Sequence, residues 1–332
     1  MFDRRLILAG SAAFSLSGSL PALARVSAHP DVAYLFAYFK NKDNGAAGMR
    51  LAISSDGLHY EPLLAGAPVL SPMVGESKLM RDPCILKDPH RELYHLVWTT
   101  GWSGVTIGYA CSDDLIHWSE QQALPVMRDF PGVRNCWAPE VIYDPKAKHF
   151  VLFWSSTVPG AYSEAAGVSE DNYNHRLYCA TTTDFKTFTP SRLMFDPGFS
   201  IIDATFAKRG EKLYLIVKDE RLKPEHKFLI WAEAKSPTGP FGPLSPAFSP
   251  SWVEGPTAAT IRGMTVVFFD RYTVNHYGAL STKDFKSWTD ISERIAMPDG
   301  ASHGTIIQIS HATYTNLQHR PTPAQSGNPS GA

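Results

Sequence analysis

Five short segments hold the polar residues best suited to chemistry: Arg81-Asp82-Pro83, Trp137-Ala138-Pro139-Glu140, Ile202-Asp203-Ala204, Val253-Glu254-Gly255-Pro256 and Ser302-His303-Gly304. Their four carboxylates and one histidine follow one another at intervals of 58, 63, 51 and 49 residues. Taken singly, each has an ordinary reading: Asp82 before proline suits a turn, as does Glu254 before Gly-Pro. Asp203 is different, because Ile201, Ile202, Ala204 and Phe206 surround it. A buried carboxylate is costly unless it is paired or used. A regular interval brings all five to equivalent places around one centre. Converging carboxylates in an aromatic setting point to cleavage of a glycosidic bond. That chemistry needs a protonated acid at the leaving oxygen and an ionised base or nucleophile on the opposite face. A third carboxylate raises the pKa of the acid by like-charge repulsion and keeps it protonated near neutral pH. Trp102, Trp137, Trp154 and Trp252 lie near these segments, where they either stack on a sugar ring or pack between strands.

The interval requires a repeated element to position these residues. An acid four residues before an aromatic recurs as Asp56-Gly-Leu-His-Tyr60, Asp114-Leu-Ile-His-Trp118, Asp184-Phe-Lys-Thr-Phe188 and Asp284-Phe-Lys-Ser-Trp288, with Pro237-Thr-Gly-Pro-Phe241 as a degenerate copy. Successive aromatics are 58, 70, 53 and 47 residues apart. Each interval is long enough for a four-stranded sheet. Each unit also contains an apolar run of strand length: Val32–Phe39, Leu93–Trp98, Phe150–Trp154, Leu213–Val217 and Val266–Phe269. No helical periodicity separates these runs, which argues against a parallel α/β sheet. A β-sandwich has no reason to repeat five times. The pattern predicts an all-β, single-domain, five-bladed β-propeller. Its N-terminal strands complete the last blade, and the five polar segments form the innermost strands.

Composition agrees. The 332 residues are 44% hydrophobic and 12% aromatic, with 24 Gly and 25 Pro, which favours many short strands and turns. With 31 basic and 32 acidic side chains, the chain has no electrostatic footprint for nucleic acid or an anionic membrane. Residues 1–25 read as an export signal: Arg4-Arg5 precede an apolar stretch from Leu6 to Leu20, then Pro21-Ala22-Leu23-Ala24. The arginine pair also fits a twin-arginine signal. This predicts a periplasmic or secreted protein with no membrane association once the signal is removed. The propeller is expected over residues 26–311 and a disordered, Pro/Gly/Ser-rich tail over 312–332. Cys84, Cys111, Cys136 and Cys179 show no metal-ligand spacing and read as small apolar strand residues, with pairing as the alternative.

The ordered set Arg81-Asp82-Pro83, Asn135-Cys136-Trp137-Ala138-Pro139-Glu140, Ile202-Asp203-Ala204-Thr205, Glu254-Gly255-Pro256-Thr257 and His303-Gly304-Thr305 resembles glycoside hydrolase family 43, from about Ala33 to Ile309. Val97-Trp98-Thr99-Thr100-Gly101-Trp102 and Phe153-Trp154-Ser155-Ser156-Thr157 resemble its arabinosidase-like branch. The resemblance implies an inverting mechanism, with Asp82 as general base, Glu254 as general acid and Asp203 as the residue that tunes and orients the acid. It implies that His303 sits on the axis beside an ordered water or a metal ion, often calcium, with no cofactor required for the chemistry. Many relatives have Asp where this chain has Glu140, so the sugar contact there is expected to differ. Glu140, Trp137, Trp102, Trp154 and Arg271 are the expected substrate contacts, with Lys218, Asp219 and Tyr272 as further ones.

The expected function is removal of a terminal furanose or pentose from an oligo- or polysaccharide, foremost α-L-arabinofuranose. The long segment Pro159–Asn174 would wall one end of the site and favour exo action. β-Xylosidase, β-galactofuranosidase and endo-arabinanase activities fit the same scaffold. A retaining, invertase-type propeller lacks its Asn-Asp-Pro-Asn motif here. A non-catalytic carbohydrate-binding propeller would have no need of all three acids.

Overall fold

The computed structural model describes residues 32–163 and 169–320, so the segment read as an export signal lies outside the described residues. Among these residues, twenty strands form five four-stranded antiparallel sheets. The chain opens with β1 (Val32–Lys40), β2 (Arg50–Ser54) and β3 (Glu61–Pro62). Blade 1 follows as β4 (Arg81–Lys87), β5 (Tyr94–Thr99), β6 (Ile107–Ser112) and β7 (Gln122–Leu124). Blade 2 is β8 (Trp137–Asp144), β9 (His149–Ser156), β10 (Arg176–Thr182) and β11 (Arg192–Phe195). Blade 3 is β12 (Ile201–Arg209), β13 (Lys212–Asp219), β14 (Phe228–Ala234) and β15 (Phe241–Leu244). Blade 4 is β16 (Glu254–Ile261), β17 (Met264–Arg271), β18 (His276–Thr282) and β19 (Thr289–Asp290). The last strand, β20 (Ala301–Ser310), pairs antiparallel with β1, so blade 5 runs β20-β1-β2-β3 and the ring closes without a covalent link. Strands β4, β8, β12, β16 and β20 touch one another in ring order, which places the first strand of each blade at the axis.

The five apolar runs form the second strands β1, β5, β9, β13 and β17. These are continuous rather than alternating because both faces are covered. Each blade packs on the next through its own apolar cluster. Leu35 and Leu51 meet Leu96 and Trp98, Val97 meets Leu152 and Trp154, Phe153 meets Leu215, Ile216 meets Val267, and Phe268 meets Phe36.

The repeated acid-to-aromatic motif is the turn between the third and fourth strands. In four blades a hydroxyl two residues before the acid (Ser54, Ser112, Thr182, Thr282) accepts hydrogen bonds from the acid's own N–H and the one after it. The carboxylate then caps the next two N–H groups. These bonds satisfy a turn whose residue after the acid takes a left-handed conformation, with φ of 79° at Gly57, 69° at Leu115, 57° at Phe185 and 59° at Phe285. In blade 3 Ser236 keeps the hydroxyl, but Pro237-Thr238 replaces the acid.

The expected tail begins too early. His311–Gln318 form a short helix, α1, capped by Ser310 accepting from the Thr313 N–H. Leu317 is buried in the cluster between blades 5 and 1, and Arg320 pairs with Asp114 at 2.8 Å. Burying one leucine is worth roughly 1.5–3 kcal/mol, and it acts together with the helix's own hydrogen bonds and the Arg320–Asp114 pair. The four cysteines are unpaired; Cys84, Cys136 and Cys179 are buried and Cys111 half-buried, as strand residues.

The closing pair is tightly fitted. A Cβ built on Gly304 of β20 would lie 1.9 Å from the Ala37 carbonyl oxygen of β1. Gly304→Ala is therefore expected to lower the unfolding free energy by about 1–3 kcal/mol, as overpacking does, measured as a reduced denaturant midpoint.

Candidate active site

Each innermost strand is irregular at its functional segment. Pairing steps from Arg81↔Thr99 to Cys84↔Val97, from Trp137↔Ser155 to Glu140↔Phe153, from Ile202↔Lys218 to Thr205↔Ile216, and from Glu254↔Asp270 to Thr257↔Phe268. In β20 the shift falls at His303, between Ser302 and Gly304. The extra residue is a bulge, which bends the strand and re-aims a side chain. At the bulge the backbone is left-handed in four blades: φ is 51° at Asp82, 45° at Ala138, 55° at Asp203 and 55° at Gly255.

This register corrects the expectation that five polar residues occupy equivalent places. Asp82, Asp203 and His303 share the bulge position. Glu254 stands one residue earlier, level with Arg81, Trp137, Ile202 and Ser302. Glu140 stands two residues later, level with Cys84, Thr205, Thr257 and Thr305. The intervals concealed this because a bulge changes the count by only one or two residues.

A pocket of about 250 Å³ opens at this end of the axis, lined by Asp82, Asp203, Glu254 and His303 together with Trp102, Trp137, Lys218 and Tyr272. Glu140 is not among its walls. It is buried two residues further along β8, facing Thr205, and burial pushes its carboxyl up to about 8. Trp154 packs in the core between blades 1 and 2. Arg271 is also absent from the lining. Trp252 donates to Glu225 at 2.7 Å, while Asp219 is held by Arg221 and His226. The pocket also contains Thr99, Glu170, Tyr173, Glu220 and Lys227, which sequence reasoning missed. Tyr173 and Glu170 belong to the 159–174 segment, from which Ser169 and Asp171 also line the pocket.

His303 organises the carboxylates. Its Nδ1 lies 3.3 Å from Asp82 Oδ1 and 3.9 Å from Asp203 Oδ2. Burial opposes a charged imidazole, but Asp203 and Asp82 overcome it and raise His303 to about 9. Burial alone would raise Asp82; the His303 contact, Arg81 and a 2.7 Å bond from Thr99 Oγ1 reverse this and hold it below the ordinary aspartate range. Asp203 accepts from the Gly255 N–H at 3.0 Å, yet burial together with the Glu254 and Asp82 charges raises it to about 6. Gly255 has no substitute here: a Cβ would lie 2.4 Å from His303 Cγ, on a left-handed backbone.

In four of the five blades the residue opposite the bulged segment, on the second strand, reaches the next blade. Thr99 Oγ1 accepts from the Ala138 N–H at 2.8 Å. Lys218 Nζ donates to Glu254 Oε2 at 3.0 Å, Asp270 faces Ser302 and His303, and Phe39 lies under the Arg81 guanidinium at 4.5 Å. On the blade 1 and 2 side, Trp102 covers Arg81 at 4.2 Å and accepts, through its carbonyl, a 3.0 Å bond from Trp137 Nε1. Tyr173 extends this aromatic wall, 4.7 Å from Trp137. The wall offers apolar faces and the opposite blades offer charge, a combination suited to a sugar ring.

The donor set does not fit a calcium ion. His303 Nδ1 faces two carboxylates as a donor, whereas calcium takes six or more oxygens. Among the described residues no group of three or more His, Cys, Asp or Glu is placed to hold a metal ion.

The buried acids make stability pH-dependent. His303, raised to about 9, and Asp203, Asp270 and Glu140, raised to about 6, 7 and 8, all bind protons more tightly in the folded state. Their stabilisation is full below the unfolded pKa values and is lost as pH rises through the folded ones. Denaturant titrations should show stability falling from pH 5 to pH 9. His303→Gln should make the fall between about 6.5 and 9 shallower by its own share, about 2–3 kcal/mol, and leave the Glu140 and Asp270 contributions in place. A wild-type profile flat across that window would show that His303 is not held protonated.

A family model described as a probable glycosyl hydrolase domain matches residues 29–315. The chain is 25% identical over 213 residues to an alpha-L-arabinofuranosidase of Bifidobacterium longum subsp. longum, covering 58% of this chain and 20% of that protein. It thus spans about a fifth of the length of this curated relative. Among solved structures, a thermostable family-43 glycoside hydrolase matches with a TM-score of 0.52 at 18% identity, over 68% of this chain and 78% of that one. The alpha-L-arabinofuranosidase from Lactobacillus brevis matches with a TM-score of 0.51 at 17% identity, over 64% and 72%. At these identities the solved structures speak to the fold alone.

Proposed function

This chain belongs to the family-43-related glycosyl hydrolases, and from that premise we propose that it is an exported, exo-acting glycosidase that releases a terminal α-L-arabinofuranose with inversion. The observation that carries the reading is the unequal treatment of carboxylates in one pocket. Asp82 is pinned as an anion by His303 and Thr99, as a base that activates water must be. Glu254 stands two blades away in the ring, partly exposed to the pocket, with Asp203 bonded to the N–H of the adjoining Gly255. Two carboxylates reaching one pocket from separate blades, one of them pinned as an anion, fit the base and the acid of this chemistry. Export rests on the Arg4-Arg5 pair and the apolar stretch after it.

The glycone is supported by the distant Bifidobacterium relative. Exo action is supported by the small pocket and by Glu170, Asp171 and Tyr173 of the 159–174 segment, which line it. Water attacks the anomeric carbon as Asp82 takes its proton. Glu254 gives its proton to the leaving oxygen, and the C–O bond breaks with inversion.

The first test is a panel of nitrophenyl arabinofuranoside, xyloside and galactofuranoside, with the product anomer read by NMR. Inverted arabinose is expected; retention of configuration refutes Asp82 as base. Glu254→Gln should cut turnover of natural glycosides by about two to four orders of magnitude, and far less for nitrophenyl glycosides, whose leaving group needs little protonation. Asp82→Asn should abolish both. An equal loss on both substrates in Glu254→Gln would refute its assignment as acid.

A further inference from the structure

The mechanism above makes no use of one buried cation on the pocket wall. Lys218 stands near the end of β13, opposite the bulged segment of β12. Its Nζ lies 3.0 Å from Glu254 Oε2 and 2.8 Å from Glu220 Oε2. Glu220 is held in turn by Lys227 at 2.6 Å, and Lys227 also pairs with Glu170 of the 159–174 segment. Charges alternate along this line from the pocket rim to Glu254.

Building on the function proposed above, we propose that Lys218 is the positioning residue of the acid: it occupies Oε2 of Glu254, leaving Oε1 to meet the leaving-group oxygen, and its charge sets the pH at which Glu254 gives up its proton. Three observations support this. Lys218 occupies in blade 3 the same register as Thr99 in blade 1, and Thr99 holds the other key carboxylate, Asp82. Among the described residues, the hydrogen bonding of the Glu254 carboxyl goes to Lys218. An ammonium this deeply buried is costly unless compensated; burial lowers its proton affinity, but Glu254 and Glu220 more than restore it. The groups facing Glu254 are Asp203 of β12, Lys218 of β13, Asp270 of β17 and Tyr272 beyond it, Tyr277 of β18 and His303 of β20.

The test uses full-length protein labelled with ¹³C at glutamate carboxyls, with the Glu254 signal assigned by its loss in Glu254→Gln. Lys218→Met is expected to raise the Glu254 titration midpoint by about one pH unit or more. The alkaline limb of kcat/KM should move up with it when read on the methyl glycoside of the sugar that the wild type turns over, whose alkoxide leaving group needs the proton. Lys218→Arg should restore both towards wild type. Should Lys218→Met fail to fold, Lys218→Met/Glu220→Gln removes the cation with its structural anion. The same upward shift is expected there, because the nearer charge dominates. A Glu254 midpoint unmoved in these variants overturns the proposal, and it does so even if the substrate panel is silent, in which case the glycosidase reading has failed separately. A midpoint that moves while the alkaline limb stays in place also overturns it, since Glu254 would then not be the acid.

Discussion

Five strands meeting at one axis must turn their side chains toward a common point, and here each does so by giving up regular pairing at the same step. The bulge is the constraint on which the site depends. It places Asp82 and Asp203 on left-handed backbone, brings His303 within reach of both, and requires Gly255 because nothing larger fits beside the imidazole. Left-handed conformations cost energy for residues other than glycine and persist only where the surroundings over-determine them. The surroundings here are the neighbouring inner strands and the second strand behind each.

Charge is balanced by the same geometry. A buried carboxylate is tolerable when it is hydrogen-bonded and paired. Thr99, Lys218 and Asp270 occupy one register on three second strands, and each reaches forward to the next blade. The blades therefore interlock through polar contacts at the pocket and through apolar clusters further out. His303 faces two carboxylates at once: its contact helps to keep Asp82 ionised, while burial and the Glu254 and Asp82 charges push Asp203 toward protonation in spite of it.

Much of this was legible in the sequence. Five turn motifs and five apolar runs were enough to count blades, and the carboxylates stood close enough to the blade interval to be recognised as axial. The interval could not reveal the bulge, so Glu140 was placed beside the sugar when it lies deeper, against Thr205. Trp154 was misjudged because a tryptophan in a buried strand has the same local sequence whether it faces a ligand or the next blade. Lys227, Glu220 and Glu170 were missed because they look like loop charges in sequence and acquire meaning only through one another. For Thr99 the signal was available: it holds near the end of its second strand the position that Lys218, already an expected contact, holds in blade 3. The helix after Ser310 escaped notice because two turns of mostly polar residues show no periodicity.

The pairing of β20 with β1 has a consequence for how the protein is made. The first described strand is synthesised some 260 residues before its partner, and until then its inner edge has no neighbour. A nascent chain leaving the ribosome therefore exposes an apolar strand edge, the kind of surface that recruits other chains. Contacts of such sequence separation also slow folding, because the intervening loop must be closed before the pairing rewards it. The early blades can form as the chain emerges, but the ring cannot close until the last strand has been made.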